Sequence, residues 1–393
     1  MCALGGVGGR CPLGACGEVF VDRVGGFWYE LGTDDGSCGD ARFCVSTVVT
    51  MHPDKVVTSI GKAEAARVAI LAGIDEAGFG PLLGPLVVSC SAFSIEAGET
   101  QGPASLLEAD LWQVFSRSVS KTRKHLAGRL LVADSKKAYN RAEGVGHLER
   151  TVLAALQTMG VQMQNLASLL QVLSPDCLPR LSEYPWFQNM QDCRLAAEAA
   201  DLKIASKVFA DDLQAHGMKL VCLRSSCLDV AYYNTMVERV KNKAQVLFIA
   251  VTQLIQGILD QFPDDNIQIL VDRQGGRAHY RANLLRSFAG ADLRIVQEGD
   301  KASVYELRFG TRVVRLSFEV NADNLYLPVA LASMVSKYVR ELLMQCMNDY
   351  FVAMDGALKP TAGYWKDGTR FVEELRKRLP DLKIDAHRLI RCR

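Results

Sequence analysis

The sequence lacks a long hydrophobic run, an excess of either charge and an export signal. No uninterrupted apolar stretch approaches the roughly 18 residues needed to span a bilayer. The N-terminus has neither the basic start nor the compact apolar stretch of a secretory signal. The chain has 45 Lys and Arg against 44 Asp and Glu, so bulk charge does not by itself indicate a nucleic-acid partner. We therefore expect a cytoplasmic protein with no membrane association.

Two nucleotide-binding motifs are also absent. There is no G-x-x-x-x-G-K-[ST] loop, and no G-x-G-x-x-G turn follows a strand, which excludes the usual nucleotide-hydrolase and dinucleotide-binding classes. The 12 cysteines are expected to be reduced thiols in a chain without an export signal. With 49% hydrophobic and 23% charged residues, the composition is that of an ordinary globular protein.

Apolar patterning divides the 393 residues into regions of different character. The first 62 residues are rich in glycine and cysteine, which predicts a leader that is disordered or lies upstream of the true start. Beyond it, apolar runs predict strands at 68–75, 86–93, 267–272 and 293–298, and a hairpin made by 304–309 and 312–320. Helical spacing occurs at 142–172, 236–260, 327–353 and 369–379. Strands mixed with long helices predict an α/β fold.

Carboxylates lie where buried strands end. Asp75 and Glu76 close the first strand, Asp272 closes the strand at 267–272, and Asp323 precedes the long helix. Because an ionised carboxylate is costly to desolvate, such acids are not normally placed there without a partner. They are either helix caps and surface ion-pair partners, or members of one acidic site. Four carboxylates at one site would repel each other unless cations neutralise them, and oxygen-rich sites suit Mg²⁺ or Mn²⁺.

Six segments resemble those of type 2 ribonucleases H. GIDEAGFGPLLGPLVV (73–88) is similar to the family's opening motif, G-[IV]-D-E-A-G-R-G-P-x-x-G-P, and ADSKK (133–137) resembles its D-S-K segment. The others, in order, are YNTMVERVKNKA (233–244), ILVDRQG (269–275), ADNLYLPVALASMVSKYVREL (322–342) and GYWKDGTRFVEEL (363–375). The resemblance spans about residues 68 to 380, and its first and last acidic blocks are its most specific parts.

The resemblance implies a ribonuclease H-like fold, a mixed five-stranded sheet flanked by helices with a helical C-terminal extension. It implies a catalytic domain at 63–345, with insertions near 94–130, 174–230 and 299–317, and an extension at 346–393. The activity it implies is endonucleolytic cleavage of the RNA strand of RNA–DNA hybrids, or at ribonucleotides in DNA. The products carry a 5′-phosphate and a 3′-hydroxyl. The family precedent favours a monomer.

Site residues follow from the same resemblance. The catalytic and metal-binding acids are Asp75, Glu76, Asp272 and Asp323, which would hold two divalent ions, Mg²⁺ or Mn²⁺. The residues implied to contact the nucleic acid are Gly78, Phe79, Gly80, Ser135, Lys136, Asn242, Ser333, Lys337 and Tyr364.

Two positions depart from the family pattern. Phe79 stands where the family has arginine between two glycines, and Pro360 stands about where it has a tyrosine that reads the ribonucleotide junction; Tyr364 is a candidate substitute. The acids are therefore retained while the residues that select the substrate are altered. A second hypothesis follows: a nucleic-acid-binding protein on the same fold with weak, altered or no cleavage.

Overall fold

A computed structural model describes residues 69–96, 109–140 and 142–392, together with two short strands in the N-terminal region. The chain forms two units, residues 1–62 and 63–393. In the first, β1 (Val21–Val24) and β2 (Phe27–Glu30) pair antiparallel. The other residues of the predicted leader lie outside the described part of the chain.

The second unit contains nine described strands and thirteen described α-helices. The strands are β3 (Ala69–Ala77), β4 (Leu86–Ile95), β5 (Val119–Ser120), β6 (Leu130–Leu131), β7 (Met218–Leu228), β8 (Asn266–Asp272), β9 (Asp292–Glu298), β10 (Ala302–Phe309) and β11 (Arg312–Glu319). The helices are α1 (Leu111–Val114), α2 (Ser135–Ala138), α3 (Gly146–Thr158), α4 (Leu166–Leu173), α5 (Leu178–Leu181), α6 (Ala199–Ala215), α7 (Val230–Val240), α8 (Lys243–Gln261), α9 (Arg281–Ser287), α10 (Ala322–Leu325), α11 (Leu327–Met354), α12 (Trp365–Arg378) and α13 (Ala386–Leu389).

One mixed sheet has the strand order β7-β4-β3-β8-β11-β10-β9. Strands β3, β8 and β11 run parallel, while β4, β7, β10 and β9 each pair antiparallel with a neighbour. The predicted mixed α/β fold is confirmed, but this sheet has seven strands rather than five. The difference arises because β10 and β9 continue the sheet beyond β11. The predicted hairpin is also confirmed, with Phe309 opposite Arg312.

Helices cover both faces of the sheet because strand side chains alternate between faces. Leu71 of β3 belongs to one core cluster with Val335 of α11, whereas Ile74 belongs to a second cluster with Ile255 of α8. Continuous apolar strands are typical of a sheet buried on both faces. By the same alternation, Asp75 lies on the face covered by α11.

Helix α11 is the longest of the described helices, at 28 residues. It runs through the boundary predicted near residue 345, because buried residues continue as far as Phe351. Its apolar character reflects packing against β3 and β4. None of the described helices combines the length and apolarity that a membrane span requires.

Candidate active site at the carboxyl ends of the parallel strands

The four predicted acids lie at or just beyond the carboxyl ends of the parallel strands β3, β8 and β11. Asp75 and Glu76 come one and two residues after Ile74, which pairs with Val271, and Asp272 directly follows Val271. Neighbouring strands lie about 4.8 Å apart, so these strand ends are adjacent. Asp272 in turn pairs with Glu319 at the end of β11, and Asp323 follows four residues later in α10. Parallel pairing therefore brings acids that are distant in sequence to one edge.

The acids influence one another's protonation. Burial raises the pKa of Asp75 well above its usual range, and the charges of Glu76, Asp272 and Asp323 raise it further. Burial, followed by the charge of Asp272, raises the pKa of Glu76 to about 7. Burial also raises the pKa of Asp323, to about 6, and that of Asp272. The pKa of each of the four carboxyls is raised, and the four form one electrostatic cluster.

Backbone groups and serines hold these carboxylates in position. The Glu76 N–H donates to Asp75 Oδ1 at 2.7 Å, and the Ala322 N–H donates to Asp272 Oδ1 at 2.8 Å. A hydrogen bond from Ser333 on α11 lowers the pKa of Asp75, opposing the larger effect of burial. The orientation of the acids thus depends on contacts between β3, β8, α10 and α11.

A fifth carboxylate, Asp134, joins the cluster and is not among the residues predicted from the sequence. Its side chain caps α2 by accepting the Lys136 N–H at 2.9 Å. It also contributes a charge and a hydrogen bond that raise the pKa of Asp323, after the larger effect of burial. Asp134 is the first residue of the D-S-K segment, so that motif is the feature of the sequence that could have identified it.

Two more predicted residues, Ser135 and Lys136, also lie at the cluster. A hydrogen bond of 3.0 Å joins Ser333 Oγ and Ser135 Oγ, and it connects α2 to the helix that contacts Asp75. The charge of Lys136 lowers the pKa values of Glu76 and Asp272, although burial dominates both. The structure therefore brings Ser135, Lys136 and Ser333 together with the acids.

The donor chemistry of this cluster fits a hard divalent cation, because every acid offers only oxygen ligands. In the described ranges, however, no three His, Cys, Asp or Glu side chains lie close enough to hold an ion as they stand. Cation binding would require these side chains to turn toward one another.

The Gly78-Phe79-Gly80 loop follows the first two acids. Gly78 has φ +93°, and a Cβ there would lie 2.6 Å from both Arg340 Nε and the Pro85 carbonyl oxygen, so glycine is required. A guanidinium reaches this loop from the C-terminal tail. Arg391 donates to the carbonyls of Gly78 and Phe79, the latter at 2.7 Å. Nothing in the local sequence around residue 391 indicates this contact.

The remaining predicted contact residues have other partners. The Asn242 side chain caps α8 by accepting the Ala244 N–H at 2.9 Å. Lys337 donates to Glu341 at 2.8 Å. Tyr364 is 52% exposed, with the Arg340 guanidinium 5.9 Å from its ring centroid. None of the partners just named for these three residues is an acid of the cluster.

Comparison with known proteins gives distant structural similarity only. No family model and no curated protein matches the chain. Among solved structures, RNase HII from Archaeoglobus fulgidus, solved with PCNA, is 15% identical, with 82% of this chain and 94% of that chain covered and a TM-score of 0.38. Ribonuclease H2 from Pyrococcus horikoshii OT3 is 15% identical, with 80% and 90% covered and a TM-score of 0.38. Bst-RNase HIII, solved with Mn²⁺, is 13% identical, with 83% and 66% covered and a TM-score of 0.36.

Without divalent cations, we expect the protein to lose stability as the pH rises from 5 to 8. The pKa of Glu76 is raised from 4.5 to about 7, so between these values the folded chain retains a proton that the unfolded chain has released. Stability contributed by this proton is complete below 4.5 and lost by about pH 7 or above, roughly 3 kcal/mol at most. Glu76→Gln removes the titration and should raise the melting temperature at pH 8 by several degrees.

Thermal unfolding in EDTA at both pH values, comparing wild type with this variant, measures the effect. Glu373→Gln, at an exposed position of α12, is the matched control and should follow wild type. If Glu76→Gln also follows wild type at both pH values, Glu76 is not the strained carboxylate described above.

Proposed function

We propose that this protein is a metal-dependent endonuclease that hydrolyses the RNA strand of RNA–DNA hybrids, or DNA at embedded ribonucleotides. The products would carry a 5′-phosphate and a 3′-hydroxyl. The observation that carries the proposal is geometric: four carboxyls lie together at the ends of the parallel strands. Burial, and to a lesser degree neighbouring carboxylates, raises their pKa values. The proposal includes the monomeric state and cytoplasmic location expected from the sequence.

Asp75, Glu76, Asp272 and Asp323 are the residues proposed to hold two divalent ions, Mg²⁺ or Mn²⁺. Bound ions would neutralise the carboxylates and supply the electrostatic stabilisation and water activation that phosphodiester hydrolysis needs. Hydrogen bonds from backbone N–H groups would keep the carboxylates of Asp75 and Asp272 oriented in the site. The hydrogen bond between Asp134 and Asp323 would restrain the Asp323 side chain.

Neighbouring residues would bind the nucleic acid. Lys136 is exposed and supplies positive charge for a phosphate close to the acids. Ser135 and Ser333 carry hydroxyl groups at the same edge. Gly80 is exposed and has open space where a side chain would be, so a sugar–phosphate backbone can approach the main chain there.

The second candidate is a nucleic-acid-binding protein that does not cleave. Two observations favour it: Phe79 occupies the position of the family's arginine, and no ready-made group of three metal-binding side chains exists among the described residues. Both functions would use the same surface, so a binding measurement alone does not separate them.

A substrate panel separates the candidates. End-labelled RNA–DNA hybrid, RNA duplex and DNA duplex with one ribonucleotide are incubated with Mg²⁺, Mn²⁺ or EDTA. We expect cleavage of the hybrid or of the ribonucleotide-containing duplex with either ion, and none in EDTA. Binding without product under both ions would support the second candidate, and cleavage in EDTA would contradict the metal-dependent mechanism.

A further inference from the structure

A cavity of about 190 Å³ adjoins the Gly78-Phe79-Gly80 loop, and Phe79 and Gly80 form part of its lining. Its lining includes the aromatic residues Phe79, Tyr233 and Trp365 and the cations Lys243 and Arg391. None of the described residues that line it is acidic. The cavity therefore combines positive charge with flat apolar surface, unlike the carboxylate cluster, where metal ions would be needed to attract a phosphate.

Arg391 is a buried cation for which the described part of the chain supplies no ionic partner. Its side chain is 4% exposed, and its guanidinium lies 4.4 Å from the centroid of the Tyr233 ring. Both terminal nitrogens donate to loop carbonyls, whereas Nε has no hydrogen-bond partner. No carboxylate of the described residues forms a salt bridge with it, and burial lowers its pKa to about 10. Burying an unpaired charge is costly, so an anion entering the cavity would relieve this cost.

Lys243 extends the positive charge to the cavity mouth. It is exposed, begins the 19-residue helix α8, and its Nζ lies 5.4 Å from the Phe79 ring centroid. The helix N-terminus adds partial positive charge at the same point. Trp365, at the start of α12, is 49% exposed and contributes a broad ring face. Aromatic faces beside cations are the usual means of holding unpaired nucleotides.

We propose that this cavity binds one phosphate-bearing nucleotide, with the phosphate at Lys243 and Arg391 and the base or sugar against Phe79 and Trp365. The source we favour is a nucleic-acid strand that leaves the acidic cluster, since Phe79 is only three residues beyond Glu76. That choice of source rests on the proposed function. The binding chemistry itself does not, because a free nucleotide offers the same groups.

Binding measured in EDTA tests the cavity without the acidic cluster. The probes are inorganic phosphate, a deoxynucleoside, its 5′-monophosphate and a short single-stranded DNA, titrated by calorimetry into the full chain. We expect the monophosphate to bind at least about tenfold more tightly than phosphate or nucleoside alone, because charge and stacking both contribute. Lys243→Gln and Trp365→Leu should each weaken it by about tenfold, while Lys366→Gln, at an exposed lysine outside the cavity lining, should not.

The two sources give different rankings. Tighter binding of the single strand than of the monophosphate, with both cavity variants weakening it, supports a strand; the reverse ranking supports a free nucleotide and overturns the strand assignment. If neither variant changes the binding of any probe, the cavity proposal is wrong. If the two variants still cleave the hybrid, the nuclease proposal stands whatever the cavity binds. If the wild-type protein cleaves nothing, the nuclease proposal fails, but nucleotide binding in EDTA still tests the cavity.

Discussion

Asp75→Asn is expected to reduce Mg²⁺-dependent cleavage of an RNA–DNA hybrid by at least about a thousandfold, with hybrid binding nearly unchanged. Asp75 is the most buried of the four acids, at 6% exposure, and its pKa responds to the other three. The asparagine keeps the shape of the side chain but removes the charge that a divalent cation needs. The phosphate contacts that supply most of the binding energy would remain.

The change should not weaken the fold. Because ionised Asp75 is repelled by Glu76 and Asp272, removing its charge should leave the melting temperature at pH 8 equal or higher. Single-turnover cleavage, hybrid binding and thermal unfolding measured on one preparation separate chemistry from folding. Asp349→Asn, at an exposed position of α11, is the control and should retain wild-type cleavage. Full Mg²⁺-dependent activity in Asp75→Asn would overturn the assignment of the acids.

Gly73→Ala is expected to destabilise the protein by about 3 kcal/mol, the upper end for overpacking a core. A Cβ at this position would lie 2.2 Å from both the carbonyl carbon of Pro328 and the backbone nitrogen of Val329. These atoms belong to the first turn of α11, which is held to the sheet where Ser91 Oγ donates to the Pro328 carbonyl at 2.8 Å. The methyl group would therefore push α11 away from β3.

Displacing α11 would also disturb the acidic cluster, because Ser333 on this helix bonds to Asp75 and Ser336 donates to the Asp75 carbonyl at 2.9 Å. Chemical denaturation measures the loss of stability. Gly80→Ala is the matched control: no atom lies within 4 Å of the added Cβ, and we expect a change within about 0.5 kcal/mol. Equal stability of the two alanine variants would contradict the close approach of β3 and α11.

Local patterning predicts much of the fold, for identifiable reasons. The runs that became β3, β4 and β8 are continuously apolar because helices cover both faces of the sheet. The hairpin is predictable since Gly310 adopts φ +62° between two strands. The number of strands in the sheet was less predictable, because whether β9 and β10 join it depends on edge pairing, which leaves no mark on their own residues.

The sequence by itself determined that acids follow buried strands, which is a property of neighbouring residues and of the desolvation cost of a carboxylate. Only the tertiary structure decided which partners these elements meet. Asp134 reaches Asp323, Arg391 reaches the carbonyls of Gly78 and Phe79, and Gly73 makes room for the backbone of α11. Each of these contacts joins residues that lie far apart in the sequence, so it depends on how helices and strands pack and not on the periodicity within any one of them.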